Sequence, residues 1–246
     1  MTTHFLEIDE LSCARGDRTL FEGLSARVAR GELLYVAGSN GSGKTTLLRT
    51  ICGLARPASG DIRWDGQSTH VLGDDYRRCL NYVGHHDGVQ GELTPIENLR
   101  VYVCATRNPA NHASAPAREV GAGTFEIEAT LERLGLAPYR SFPAKILSQG
   151  QRRRLALARL LVTEKPLWIL DEPFTALDVR SCQLISALLA DHLARGGMAM
   201  ISSHQVFDIP GTKPARVDLD TLRVRSAYLP AELNSVEPLS PGQRTA

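Results

Sequence analysis

Gly38-Ser39-Asn40-Gly41-Ser42-Gly43-Lys44-Thr45 fits the phosphate-binding loop G-x-x-x-x-G-K-[ST]. Glycines in such a loop let the backbone curl until several N–H groups point at one phosphate chain. The helix expected over Thr45–Ile51 adds its positive N-terminal end. Lys44 is placed to neutralise the β- and γ-phosphates of a nucleotide, and the Thr45 hydroxyl to ligate Mg²⁺. Directly before the loop, Leu33–Ala37 is an apolar run of the length of a buried strand. Strand, loop and helix in that order separate a phosphate site from a chance glycine-rich turn. Gly38 through Thr45, with Thr46 one position further on, are therefore the candidate nucleotide-binding residues.

Two more segments carry chemistry. Leu167-Trp168-Ile169-Leu170 is a second buried-strand run, ending on the adjacent acids Asp171 and Glu172, 127 residues after Lys44. Ligands bind at the carboxyl ends of strands in α/β sheets. Asp171 there would hold Mg²⁺ through water, and Glu172 is placed to polarise an attacking water, a contribution of roughly 10²–10⁴ in rate. Alone, the pattern also suits a strand followed by an acidic turn; the phosphate loop upstream favours the functional reading. Leu147-Ser148-Gln149-Gly150-Gln151 precedes an expected helix, Arg152–Val162, with Leu155, Ala158 and Leu161/Val162 on one face. Ser148 can cap that helix and Gly150 permits close backbone approach, which makes its N-terminus a second anion site, 23 residues before Asp171.

The 246 residues suit one large domain or a core with one inserted subdomain. With 28 basic and 27 acidic residues the net charge is +1, so bulk charge gives no reason to infer nucleic-acid binding, and the 43 % hydrophobic content excludes a disordered chain. Short apolar runs alternate with helical patterns, as in α/β folds. The expected strands are Phe5–Ile8, Leu24–Val28, Leu33–Ala37, Asp61–Trp64, Asn81–Val83, Leu167–Leu170 and Met198–Ser202. Between Cys104 and Glu126 the Ala/Pro/Gly/Asn-rich composition predicts a flexible surface loop, and after Gln205 periodicity weakens toward a frayed tail, Glu237–Ala246. No apolar run approaches the ~18 residues of a membrane span, and the acidic N-terminus lacks a signal pattern, so the expectation is a chain that does not cross a membrane by itself. The five scattered cysteines, none in a C-x-x-C pair, suit reduced thiols in a cytoplasmic protein better than a zinc site.

With these motifs in order, the chain resembles the ATP-binding cassette family over about residues 5–205: phosphate loop, LSQGQ signature, acidic strand end, the Thr175-Ala176-Leu177-Asp178 loop and His204, 32 positions beyond Glu172. The resemblance implies an α/β P-loop NTPase with a RecA-like core, an antiparallel β region and an inserted helical subdomain at about 84–150. Residues 1–205 would form the ATPase domain and 206–246 a short extension. It further implies that Ser148 and Gly150 contact the γ-phosphate of ATP held by another subunit, that Asp178 lies at the dimer seam, and that His204 senses the γ-phosphate. A single cassette then implies a homodimer. Two positions depart from the family pattern. Where an aromatic residue usually stacks on adenine, the register offers Arg15, whose guanidinium can stack on a base or simply be solvated. Where the family has its glutamine loop, the chain reads Val83-Gly84-His85-His86.

Several stretches narrow the resemblance to the cytochrome c maturation ATPases of haem-exporter type: Leu11–Phe21, Gly60–Gly66, Tyr82–His85 followed by Glu92-Leu93-Thr94 and Glu97-Asn98-Leu99, Gly150–Arg154, Pro166–Pro173, and Arg195-Gly196-Gly197 leading to Ser203-His204-Gln205. That family usually has His-Gln where this chain has His85-His86. This likeness implies a peripheral ATPase on the cytoplasmic face of a bacterial inner membrane, driving a membrane permease together with further cytochrome c maturation proteins. Another exporter's ATPase is the near alternative, against which the Trp64 and Trp168 contexts speak. A soluble cassette of repair or translation type would carry a coiled-coil insertion or two cassettes, and neither is present.

Overall fold

The computed structural model describes residues 4–106, 119–204 and 207–222. Strands β1 (Phe5–Arg15), β2 (Arg18–Ala29), β4 (Ser59–Trp64) and β5 (Gln67–Ser68) form an antiparallel sheet in the order β2-β1-β4-β5. Strands β3 (Leu33–Ala37), β6 (Leu80–Val83), β7 (Leu167–Asp171), β8 (Met198–Ser202) and β9 (Ala215–Asp218) form a parallel sheet in the order β6-β7-β8-β3-β9. Around them stand α1 (Lys44–Ile51), α2 (Thr69–Leu72), α3 (Asp74–Arg78), α4 (Pro95–Thr106), α5 (Glu119–Arg133), α6 (Gln149–Ala158) and α7 (Val179–Ala194).

The uninterrupted apolar runs of β3, β7 and β8 follow from burial on both faces. Successive side chains on a strand point to opposite sides, and here they feed two different cores. Leu33, Tyr35, Trp168, Leu170, Ala199 and Ile201 pack with α6 and α7, whereas Leu34, Val36, Leu167, Ile169, Met198 and Met200 pack against α1 and the antiparallel sheet. A polar residue anywhere along these strands would therefore enter one core or the other.

All seven expected strands fall within observed ones, and the differences have local causes. β1 continues past Ile8 to Arg15, across a shift of its register against β2 between Ile8 and Leu11, where Glu10 takes a φ of 47°. That irregularity breaks the period-2 pattern by which a strand is read. The surface loop expected between Cys104 and Glu126 is wrong at both ends: α4 reaches Thr106 and α5 begins at Glu119. The apolar spacing that marks α5, at Ile127 and Leu131 with Leu134 just past its end, starts only after its Gly/Ala-rich first turns. Residues 107–118 lie outside the described residues, as does the tail Glu237–Ala246. The signature helix starts at Gln149 and ends at Ala158, earlier at both ends than Arg152–Val162. Beyond residue 205, β9 pairs with β3, and Leu219 is fully buried beneath the loop that follows β3. Its exposed, polar edge character explains the weak pattern there.

One buried histidine anchors α7 to the sheet. The His192 ring stacks on Trp168 (centroids 3.8 Å apart, 8° between planes), and its Nε2 lies 3.1 Å from the Met198 carbonyl, which requires the proton on that nitrogen. Burial holds its pKa down from 6.5 to about 4. An unfolded chain therefore takes up this proton below about pH 6.5 while the folded one resists until about pH 4, so stability is full above that window and is lost as pH falls through it, about 3 kcal/mol in all. Urea unfolding at about pH 7 and about pH 5 is expected to show the parent losing about 2 kcal/mol more than His192→Phe, which keeps the stack but does not titrate.

Candidate nucleotide site

The strand order brings the motifs together. β7, β8 and β3 are neighbours and all run parallel, so the phosphate loop after β3, Asp171 at the end of β7 and His204 just beyond β8 emerge at one edge of the sheet.

Gly38 has a φ of 144°, and a Cβ there would stand 2.5 Å from Ser42 Oγ, so the loop closes on itself only with glycine at its start. Lys44 is 8 % exposed, and its Nζ donates to the carbonyls of Gly38 (2.8 Å) and Ser39 (3.2 Å). Among the described residues no carboxylate lies within ion-pair reach of it. A buried ammonium held by neutral dipoles alone is electrostatically incomplete, and an anion supplies what it lacks. On the outer side of the loop, Asp220 accepts from Ser39 N (2.6 Å) and Ser39 Oγ (2.8 Å), tying it to the turn after β9.

Asp171 is 1 % exposed, yet both carboxylate oxygens have donors: Thr45 Oγ1 to Oδ2 at 2.8 Å and Ser202 Oγ to Oδ1 at 2.5 Å. A hydroxyl beside a carboxylate is a pair of hard oxygen donors, which suits Mg²⁺; that ion commonly keeps waters and substrate phosphates for its remaining positions. Glu172 adopts a φ of 50°, and its N–H is shared by Ser202 O (3.0 Å) and Ser202 Oγ (3.1 Å). Its Oε1 is buried without a hydrogen-bond donor; His204 Nε2 is 3.3 Å away but not aligned for a bond. That oxygen can take a proton.

A cavity of about 360 Å³ joins these groups. Arg15, Asn40, Gly41, Gly43, Lys44, Thr45, Thr46, Asp171, Glu172 and His204 line it, as does His85 from the segment after β6. Gly38, Ser39 and Ser42 shape the loop from behind rather than lining the cavity. Ser148 and Gly150 do not reach it. Ser148 caps α6: its Oγ accepts from Gln151 N (3.2 Å) while Gln151 Oε1 accepts from Ser148 N (2.8 Å), a reciprocal capping box. A Cβ on Gly150 would stand 2.9 Å from the Ala176 carbonyl, so the signature packs directly on the 175–178 loop. Asp178 caps α7 through Ser181 N (2.8 Å), and that contact lowers its carboxyl below the ordinary range.

The sequence reading did not pick out Ser202, Asp220 or Arg153. Ser202 is one more small residue at a strand end, and Asp220 lies beyond the periodic part of the chain. Arg153 is the middle member of Arg152-Arg153-Arg154, and all three have buried apolar residues three and four positions on, so spacing carries no signal that this one faces inward.

The ABC transporter family matches residues 21–175. The chain is 46 % identical over 214 residues, 87 % of its length and 98 % of the relative's, to the cytochrome c biogenesis ATP-binding export protein CcmA of Nitrosospira multiformis. It is 41 % identical to the protein of that name from Escherichia coli O157:H7, covering 89 % of this chain and 98 % of the other. Among solved structures, the ATP-binding subunit of an ABC transporter superposes with a TM-score of 0.70 at 26 % identity, over 81 % of this chain and 79 % of that one. A Pyrococcus furiosus putative ABC transporter ATP-binding protein, with a TM-score of 0.71 at 23 % identity over 89 % and 98 %, shares the fold. The chain thus belongs to the ABC transporter ATP-binding family, and within that family to the CcmA proteins.

Proposed function

We propose that the chain hydrolyses ATP as the energising subunit of an export complex in cytochrome c biogenesis, as the names of its relatives describe them. The observation that carries the nucleotide-binding part is Lys44, buried without a carboxylate partner among the described residues and close in sequence to Thr45, which bonds Asp171. Gly38 through Thr46 bind the triphosphate: backbone N–H groups and Lys44 take its charge, and Arg15, which lines the same cavity, stacks on the base. Thr45 and Asp171 would hold Mg²⁺, which when bound neutralises phosphate charge. Glu172 accepts the proton of the attacking water at its unpartnered Oε1, and His204 faces the γ-phosphate from the end of β8.

Two chains are needed in this reading. Ser148 and Gly150 stand away from their own chain's cavity, so the α6 N-terminus serves the ATP of a second copy in a homodimer. None of the described helices is long and apolar enough to cross a membrane, and an ABC ATPase works on a membrane permease. We assign residues 1–205 to the ATPase domain, with a helical subdomain at about 84–150 docking on the permease, and residues 206–246 to an extension whose first part, through β9 and Asp220, joins the parallel sheet and the phosphate loop of that domain. The complex would sit at the cytoplasmic face of a bacterial inner membrane with further cytochrome c maturation proteins.

Lys44→Ala is expected to lose ATP affinity in a calorimetric titration, by about tenfold or more, because the densest anionic charge loses its counter-charge. Unchanged affinity contradicts the site. Glu172→Gln is expected to keep that affinity but turn over at least about 100-fold more slowly, since an amide cannot take the proton, and ATP should then hold a dimer in size-exclusion runs.

Ser148→Arg is expected to bind ATP like the parent while hydrolysis falls, the added cation blocking closure of two chains. Mixing Ser148→Arg with Lys44→Ala gives heterodimers with one site carrying both defects and one carrying neither. Partial recovery of hydrolysis on mixing supports shared sites; full activity of Ser148→Arg as a monomer removes the two-chain mechanism.

A further inference from the structure

Arg153, in the second turn of α6, is 3 % exposed. A guanidinium carries five N–H donors, and five contacts use them. Nη1 donates to Gly84 O (2.8 Å) and Asp87 Oδ1 (3.1 Å), Nη2 to Asp171 O (2.7 Å) and Glu172 O (2.7 Å), and Nε to Pro173 O (3.4 Å). Only Asp87 among these acceptors is charged, so the buried cation is balanced by one carboxylate and four carbonyl dipoles.

The acceptors belong to two segments. Residues 84–87 carry His85, which lines the nucleotide cavity, and residues 171–173 carry the acid pair. Glu172 sits in the left-handed region, φ 50°, a conformation that strains a bulky residue and persists only where the surroundings over-determine it. Ser202 holds the N–H side of that residue and Arg153 its carbonyl. The guanidinium thus grips the backbone from which the Glu172 carboxylate projects, and with the same plane grips the segment bearing His85-His86.

We propose that Arg153 is a positioning residue for Glu172, fixing the orientation of its carboxylate and making that orientation depend on the docking of residues 84–87. The inference rests on the reading of Glu172 as the proton acceptor. Lysine cannot substitute, because an ammonium has three donors and no rigid fork to span both segments.

The test is steady-state ATP hydrolysis by the full chain against ATP concentration, for Arg153→Lys, Asp87→Asn and, as reference, Glu172→Gln. Folding is checked by the unfolding midpoint, and the nucleotide-binding fraction by calorimetry. Asp87→Asn keeps an acceptor oxygen and the packing, so it decides the matter if Arg153→Lys does not fold. In Arg153→Lys, kcat per nucleotide-binding chain is expected to fall about 10- to 100-fold with KM and ATP affinity within about threefold, since the Lys44 loop is untouched. Asp87→Asn is expected to lower kcat in the same direction, by about three- to tenfold. A purely structural role would lower the unfolding midpoint or the binding fraction and leave kcat per binding chain at the parent value. That result overturns the inference, as does a rise in KM in place of the fall in kcat. An inactive Glu172→Gln beside a fully active Arg153→Lys overturns this inference alone; a fully active Glu172→Gln removes the base assignment and this inference with it.

Discussion

A carboxylate at 1 % exposure is tolerated only where donors replace its lost water, and Asp171 has them in Thr45 Oγ1 and Ser202 Oγ. Thr45 belongs to the first turn of α1, delivered by β3; Ser202 ends β8; Asp171 ends β7. The two hydrogen bonds therefore fix the end of one strand to its neighbour in the sheet and to the helix that the next strand delivers. If β8 shifted by one residue against β7, Ser202 would turn to the opposite face and leave an oxygen of Asp171 bare. Sheet register, the start of α1 and the oxygen pair suited to a divalent cation are consequently one condition.

Ser202 also links Asp171 to Glu172. A hydroxyl offers one donor and two acceptor lone pairs, and here it donates to the Asp171 carboxylate while accepting from the Glu172 N–H. The two acids thereby receive opposite treatment. Asp171 has one donor on each carboxylate oxygen, whereas Glu172 is held through its backbone and keeps one buried carboxylate oxygen without a donor. Adjacent residues can diverge in this way because the left-handed φ at Glu172 turns the chain away as β7 ends. The proposed roles, one acid holding and the other reacting, follow this division.

What the sequence revealed of this arrangement was whatever depends on neighbours in the chain. The phosphate loop, the apolar runs of β3, β7 and β8, and the Ser148 cap are local patterns, and each lies where it was read. Features decided by distant partners were not legible. β9 has little apolar pattern because it is an edge strand, and its place beside β3 is a tertiary fact. The bulge in β1 hid the continuation of the strand to Arg15, whereas the resemblance alone had offered Arg15 as the residue beside the base. Three consecutive arginines look alike in sequence, yet Arg152 reaches the Lys145 carbonyl at the surface, Arg153 is buried against the acid pair, and Arg154 donates to Leu134 O. Helical rotation of about 100° per residue separates them, but the choice of inward face belongs to the packing of α6.

The signature segment shows how a local pattern can be satisfied and still leave chemistry over. The capping box between Ser148 and Gln151 occupies the N–H groups of those two residues. Gln149 and Gly150 occupy the first two positions of α6, where an N–H has no acceptor within its own helix. Gly150 is also held against the Ala176 carbonyl at a distance that admits no side chain, so nothing on that residue can shield its backbone. The N–H groups of Gln149 and Gly150 thus have no acceptor within α6, while the chain's own phosphate loop already has α1 behind it. An anion brought by a second copy would satisfy α6 without competing with α1 for the same phosphates. On that reading the fold carries one complete helix-end anion site and one half-site, and only pairing two chains turns each half-site into part of a whole.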